Sequence, residues 1–137
     1  MRIVLDTNVL ISSTFWYGAS DKILRKVEAK EIELIISKEI IEEFSGVLNY
    51  EEIQQKIKDK NLEIIRSVEK IVSMATITEP KQKLDIIKEN SDDNKILECA
   101  VEEKVDYIIS YDSHLLNLKE FENIKILTPE EFLKKFN

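Results

Sequence analysis

The chain has 137 residues, 43% of them hydrophobic and 34% charged, with two Gly, two Pro and one Cys. That length can bury about two-thirds of its extended surface around one core, and so little Gly and Pro argues against a linker or a disordered segment. The net charge of −7 speaks against gripping a long duplex by bulk electrostatics; it suits a partner with a basic segment, and bound cations could still neutralise a local acidic cluster. No apolar run approaches about 18 residues, so no membrane span is expected. A basic start followed by an apolar stretch is also missing, so secretion is not expected. Cys99 has no intrachain disulfide partner, which fits a reducing cytoplasm. The expectation is one cytoplasmic domain over residues 1–137.

Ile3-Val4-Leu5 opens the chain as a continuous apolar run, the pattern of a strand buried on both faces. Asp6 stands where that strand ends. Val9 to Gly18 is apolar and aromatic, with Phe15, Trp16 and Tyr17 adjacent, a core or interface composition. Ser20 or Asp21 can cap the next helix, which carries Ile23, Leu24 and Val27 on one side. Lys22, Arg25, Lys26 and Lys30 line the other side, a solvated face or a contact for RNA phosphates. Glu33 to Ser37 reads as a second buried strand, and Ser37 opens a helix to about Leu48.

Helical segments are expected near Glu51–Lys58 and Leu62–Met74, and a third strand over Ala75–Thr78. Glu79 to Asn90 reads as a connecting loop with one turn of helix at most. Ser91 or Asp92 caps a helix through Glu103. Tyr107–Ser110 and Ile124–Leu127 are the fourth and fifth strands. Thr128-Pro129-Glu130-Glu131 carries a capping-box pattern. This alternation implies an α/β fold with five parallel strands, helices on both faces and a site at the switch point, beyond the carboxyl ends of the strands.

Asp93 carries the most information. At about 100° per residue, Ile96, Leu97, Ala100 and Val101 share its line, so it points along the buried face. A carboxylate there is costly unless a cation or a hydrogen-bonded cap compensates it. On the preceding long helix Ile40, Ile41, Phe44, Val47 and Leu48 form the apolar face, with Glu43 at its edge and Glu42 nearly opposite. Asp112 follows the fourth strand and belongs at the same sheet edge as Asp6. Four converging carboxylates repel one another without a cation. All-oxygen ligation suits Mg²⁺ or Mn²⁺ rather than zinc, and such ions serve phosphodiester hydrolysis. Against this stand plainer roles: a turn residue at Asp6, helix caps at Asp93 and Asp112, and a solvated Glu43. His114, the single His, has no second His or Cys at ligand spacing and reads as a surface or capping residue.

Leu5-Asp6-Thr7-Asn8, the helix containing Glu43, Asp92-Asp93-Asn94-Lys95-Ile96-Leu97-Glu98-Cys99-Ala100, and Asp106-Tyr107-Ile108-Ile109-Ser110-Tyr111-Asp112 together resemble the PIN domain. Within that family the chain is similar to the VapC-like toxins of prokaryotic toxin–antitoxin pairs. The resemblance spans essentially the whole chain. It implies a five-stranded parallel sheet and a Mg²⁺- or Mn²⁺-dependent endoribonuclease. Its acidic residues fall on Asp6, Glu43, Asp93 and Asp112, and its supporting polar residues on Asn8 and Ser110. The expected partners are RNA, an antitoxin protein and a second copy of the chain, with no membrane. A housekeeping RNA-processing nuclease and a non-catalytic binding module are the alternatives. A receiver would need an Asp after the third strand, where Ile77-Thr78-Glu79-Pro80 stands. A haloacid-dehalogenase-type phosphatase would need a second Asp where Asn8 stands.

Overall fold

The computed structural model of the protein describes residues 1–15, 18–48 and 69–136. Strand β1 (Arg2–Leu5) leads through Asp6 straight into α1 (Thr7–Phe15). Helix α2 (Ala19–Glu28) follows, then β2 (Glu33–Ser37), α3 (Lys38–Leu48) and β3 (Thr76–Thr78). Next come α4 (Asp93–Glu102), β4 (Tyr107–Ile109), the short α5 (Ser113–Leu116), β5 (Glu120–Phe121), β6 (Ile124–Leu127) and α6 (Pro129–Phe136). Residues 69–74 are helical. The expected helix near Glu51–Lys58, the start of the one at Leu62, and Trp16 and Tyr17 lie outside the described residues.

The sheet order is β3-β2-β1-β4-β6-β5. The five expected strands are present and pair in parallel. A sixth, β5, pairs antiparallel with β6. Its two-residue turn, Glu122-Asn123, has positive φ at both positions (47° and 69°), the geometry of a tight hairpin turn. Glu-Asn lacks the glycine that usually advertises such a turn, and a two-residue strand has no readable period.

Ile3, Val4 and Leu5 are at most 1% exposed. Consecutive strand residues point to opposite faces, so both faces of β1 are covered. Leu34, Ile35, Ile36, Ile108 and Ile109 are buried likewise. From β1 the chain winds to β2 and β3 on one side and later to β4 and β6 on the other. The winding therefore reverses between β1 and β4, where a crevice opens at the strand ends.

The helix starts show how local chemistry sets the boundaries. Ser37 Oγ accepts the Ile40 N–H at 3.1 Å, the expected cap of α3. Thr128 and Glu131 form the reciprocal capping box, at 3.2 and 3.0 Å. Two expected caps differ. Helix α2 begins after Gly18, whose φ of 154° few side-chain-bearing residues adopt; Ser20 is buried within the helix and Asp21 pairs with Arg25 at 3.2 Å. At α4, Asp92 occupies the cap position without a side-chain cap bond. The N–H groups of Asp93, Asn94 and Lys95 instead donate to the carbonyls of Asn90, Ser91 and Asp92. That frees the Asp92 carboxylate to pair with Lys95 at 3.3 Å.

Residues 79–90 hold no helical turn. Helix α4 secures this stretch with a polar stripe at i, i+4 and i+8. Asn94 accepts the N–H groups of Ile86 and Ile87 and donates to the Ile87 carbonyl. Glu98 accepts the Leu84 N–H and Glu102 the Lys81 N–H. Backbone groups without a ladder partner are thus satisfied by side chains. Among the described residues no helix is long and apolar enough to cross a membrane.

Candidate metal centre

The site grows from the pairing of β1 with β4. Leu5 is in register with Ile109, so the next residues, Asp6 and Ser110, meet just beyond the sheet. Asp6 N–H donates to the Ile109 carbonyl at 3.0 Å, and Ser110 Oγ donates to Asp6 Oδ2 at 2.5 Å. The same Ser110 oxygen accepts the Asp112 N–H at 2.9 Å. One buried hydroxyl therefore links the ends of both strands.

Asp6 and Asp112 also do the plainer work open to them. Asp6 Oδ1 accepts the Asn8 N–H at 3.1 Å and caps α1. Asp112 Oδ1 accepts the His114 N–H at 2.7 Å and caps α5. Capping does not compete with a metal role, because a carboxylate has about four acceptor positions; it locks each side chain's orientation. Asn8 reaches Asp6 through its backbone, and its side chain is exposed. Asp93 differs. It is the first residue of α4 and 5% exposed. Its Oδ2 is buried and finds no hydrogen-bond partner among the described residues.

Burial pushes the Asp6 carboxyl above its ordinary range, against the pull of the Ser110 hydrogen bond. Burial, followed by the charges of Asp112 and Asp6, pushes Asp93 up to about 7. Glu43 is raised by burial first, then by Asp92 and Asp6. Asp6, Asp93 and Asp112 thus feel one another directly, and Glu43 stands on their flank beside Asp92. Among the described residues no Lys or Arg pairs with the inner three. Lys95 is bonded to Asp92.

His114 joins the group. Its Nδ1 lies 3.6 Å from Asp93 Oδ2 and 3.4 Å from Asp112 Oδ1. The ligand atoms of Asp93, Asp112 and His114 all lie within 4.8 Å of one another. The capping expected of His114 is made by its backbone N–H, and its ring faces the two carboxylates. Its one available signal was the Asp-x-His spacing after a buried strand.

This donor set fits a divalent cation. It offers hard oxygen ligands that repel one another when ionised, and one of its oxygens is buried without a donor among the described residues. A cavity of about 510 Å³ elsewhere is lined by Lys22, Arg25, Lys26, Glu31 and Leu133. There Arg25 and Lys26 are paired with Asp21 and Glu31, as on a solvated face.

The family model described as "PIN domain" matches residues 2–114, a span containing all four carboxylates. Among solved structures, the crystal structure of VapBC2 from Rickettsia felis bound to a DNA fragment from their promoter contains a similar chain. It aligns with a TM-score of 0.62 at 17% identity, covering 92% of this chain and 97% of that one. No curated protein matches the sequence. PIN domains are typically nucleases. With the family model matched over residues 2–114, most of this chain, the chain belongs to the PIN domain family.

Proposed function

We propose that the protein is a Mg²⁺- or Mn²⁺-dependent endoribonuclease acting as the toxin of a toxin–antitoxin pair. The observation that carries the metal reading is the Asp93 carboxylate, buried beside Asp112 and Asp6 with Oδ2 lacking a donor among the described residues. Asp6, Glu43, Asp93 and Asp112 are the residues that would hold the ion. When bound, the ion would lower the pKa of a water and neutralise charge on a phosphodiester.

The chain's own groups do the rest. The hydrogen bonds from Ser110 and the Asn8 N–H favour the Asp6 anion against its burial and orient it, and the α5 cap fixes Asp112. Its place at the start of α4 sets the Asp93 carboxylate against Asp112 and Asp6.

A toxin role, an antitoxin partner and a homodimer rest on the likeness to VapC proteins; the solved neighbour comes from a VapBC2 assembly on promoter DNA. The test is cleavage of single-stranded and structured RNA by the purified protein. Cleavage is expected with Mg²⁺ or Mn²⁺ and not in EDTA, and equal activity in EDTA would overturn the mechanism. Inhibition by a small protein encoded beside this gene would establish the toxin role.

A further inference from the structure

An all-carboxylate centre has no need of an imidazole, yet one lies against it. We propose that His114 supplies a nitrogen ligand, through Nδ1, to the cation held by Asp93 and Asp112, and thereby biases the site towards Mn²⁺ over Mg²⁺. The inference rests on the metal-centre reading above.

Three observations carry it. First, Nδ1 stands at nearly equal distance from two carboxylate oxygens, 3.6 and 3.4 Å. A hydrogen bond to either would draw one of those distances to about 2.7–3.2 Å. Ligand atoms around an octahedral ion with bonds near 2.1 Å lie roughly 3 Å apart, so the three groups are spaced slightly wider than such an ion would hold them. Second, the atoms that would face the ion, His114 Nδ1 and Asp93 Oδ2, are both buried and both without a hydrogen-bond partner among the described residues. Third, among the described residues no hydrogen bond holds the ring elsewhere, and the α5 cap uses only the backbone N–H of His114.

Imidazole nitrogen is softer than carboxylate oxygen. Affinity for nitrogen-containing sites rises along the transition series from Mn²⁺, while Mg²⁺ favours oxygen and water. A nitrogen here therefore helps Mn²⁺ more than Mg²⁺.

The test pairs calorimetric titration of the full chain, using MnCl₂ and MgCl₂ in metal-free buffer, with electron spin-echo modulation spectroscopy of the Mn²⁺-loaded protein. The wild type is expected to show modulation from a directly bound ¹⁴N, and His114→Ala to lose it. His114→Ala is also expected to weaken Mn²⁺ binding by about tenfold or more and Mg²⁺ binding by less than about threefold. Bound Mn²⁺ without ¹⁴N modulation in the wild type would overturn the inference and leave an all-oxygen centre standing. Equal losses for the two ions in His114→Ala would overturn the selectivity. Failure of both ions to bind the wild type would overturn the metal reading itself.

Discussion

Asp93→Asn should abolish cleavage and, without metal, make the protein more stable. A carboxyl raised from 3.8 to about 7 holds its proton more tightly when folded. Its contribution to stability is complete below pH 4 and is lost as pH rises through 7. At pH 8 the ionised Asp93 is therefore a liability of at most about 4 kcal/mol. The neighbouring side chains, Asp112 and His114, are 18% and 40% exposed, so water reaches the group and screening reduces this to about 2 kcal/mol. Removing a charge from the first turn of α4 gives back about 0.5–1 kcal/mol. The net gain is about 1 kcal/mol, or roughly 3–4 °C in Tm for a chain of this size. Calorimetry in EDTA at pH 8 measures it. The advantage of the variant should shrink as pH falls towards 4. Added Mn²⁺ should stabilise the wild type and not the variant. An Asn variant no more stable than wild type at pH 8 would refute the crowding argument and reduce Asp93 to a helix-start residue.

Ser110→Ala removes the donor to Asp6 and the acceptor for the Asp112 N–H. Stability should fall by about 1–3 kcal/mol in urea denaturation. Because the lost bond favours the Asp6 anion, the acid limb of the pH–rate profile should move to higher pH. Asn94→Ala leaves the Ile86 and Ile87 N–H groups without their acceptor, which should cost about 3 kcal/mol by the same measurement; Glu102→Ala, at an exposed hydrogen bond, should cost less than about 0.5 kcal/mol.

Asp6 and Asp112 were legible because a continuous apolar strand has an unmistakable end, and parallel strands deliver their ends to one edge. Asp93 was legible from helix arithmetic alone. Glu43 was harder to single out, since Glu39 and Glu42 share its helix and only tertiary packing distinguishes them. The position of the His114 ring beside Asp93 could not be read, because ligand-spacing rules look along the chain and Asp93 comes from another helix. Asp92 looked like a cap because cap rules see the residue type and not the backbone turn that had already satisfied the helix N–H groups. The Asn94, Glu98, Glu102 stripe was hidden for the same reason. Polar residues at helical spacing ordinarily face water, and nothing in the sequence says that a neighbouring loop takes the water's place.

That stripe has a consequence for the order of events in folding. Residues 81–87 have no ladder of their own; the amides of Lys81, Leu84, Ile86 and Ile87 are answered by side chains that line up only after α4 has wound. The stretch therefore cannot settle ahead of the helix. Asn94 immediately follows Asp93, so the residue that fastens the loop and the residue at the centre of the acidic crevice are set by the same turn of helix.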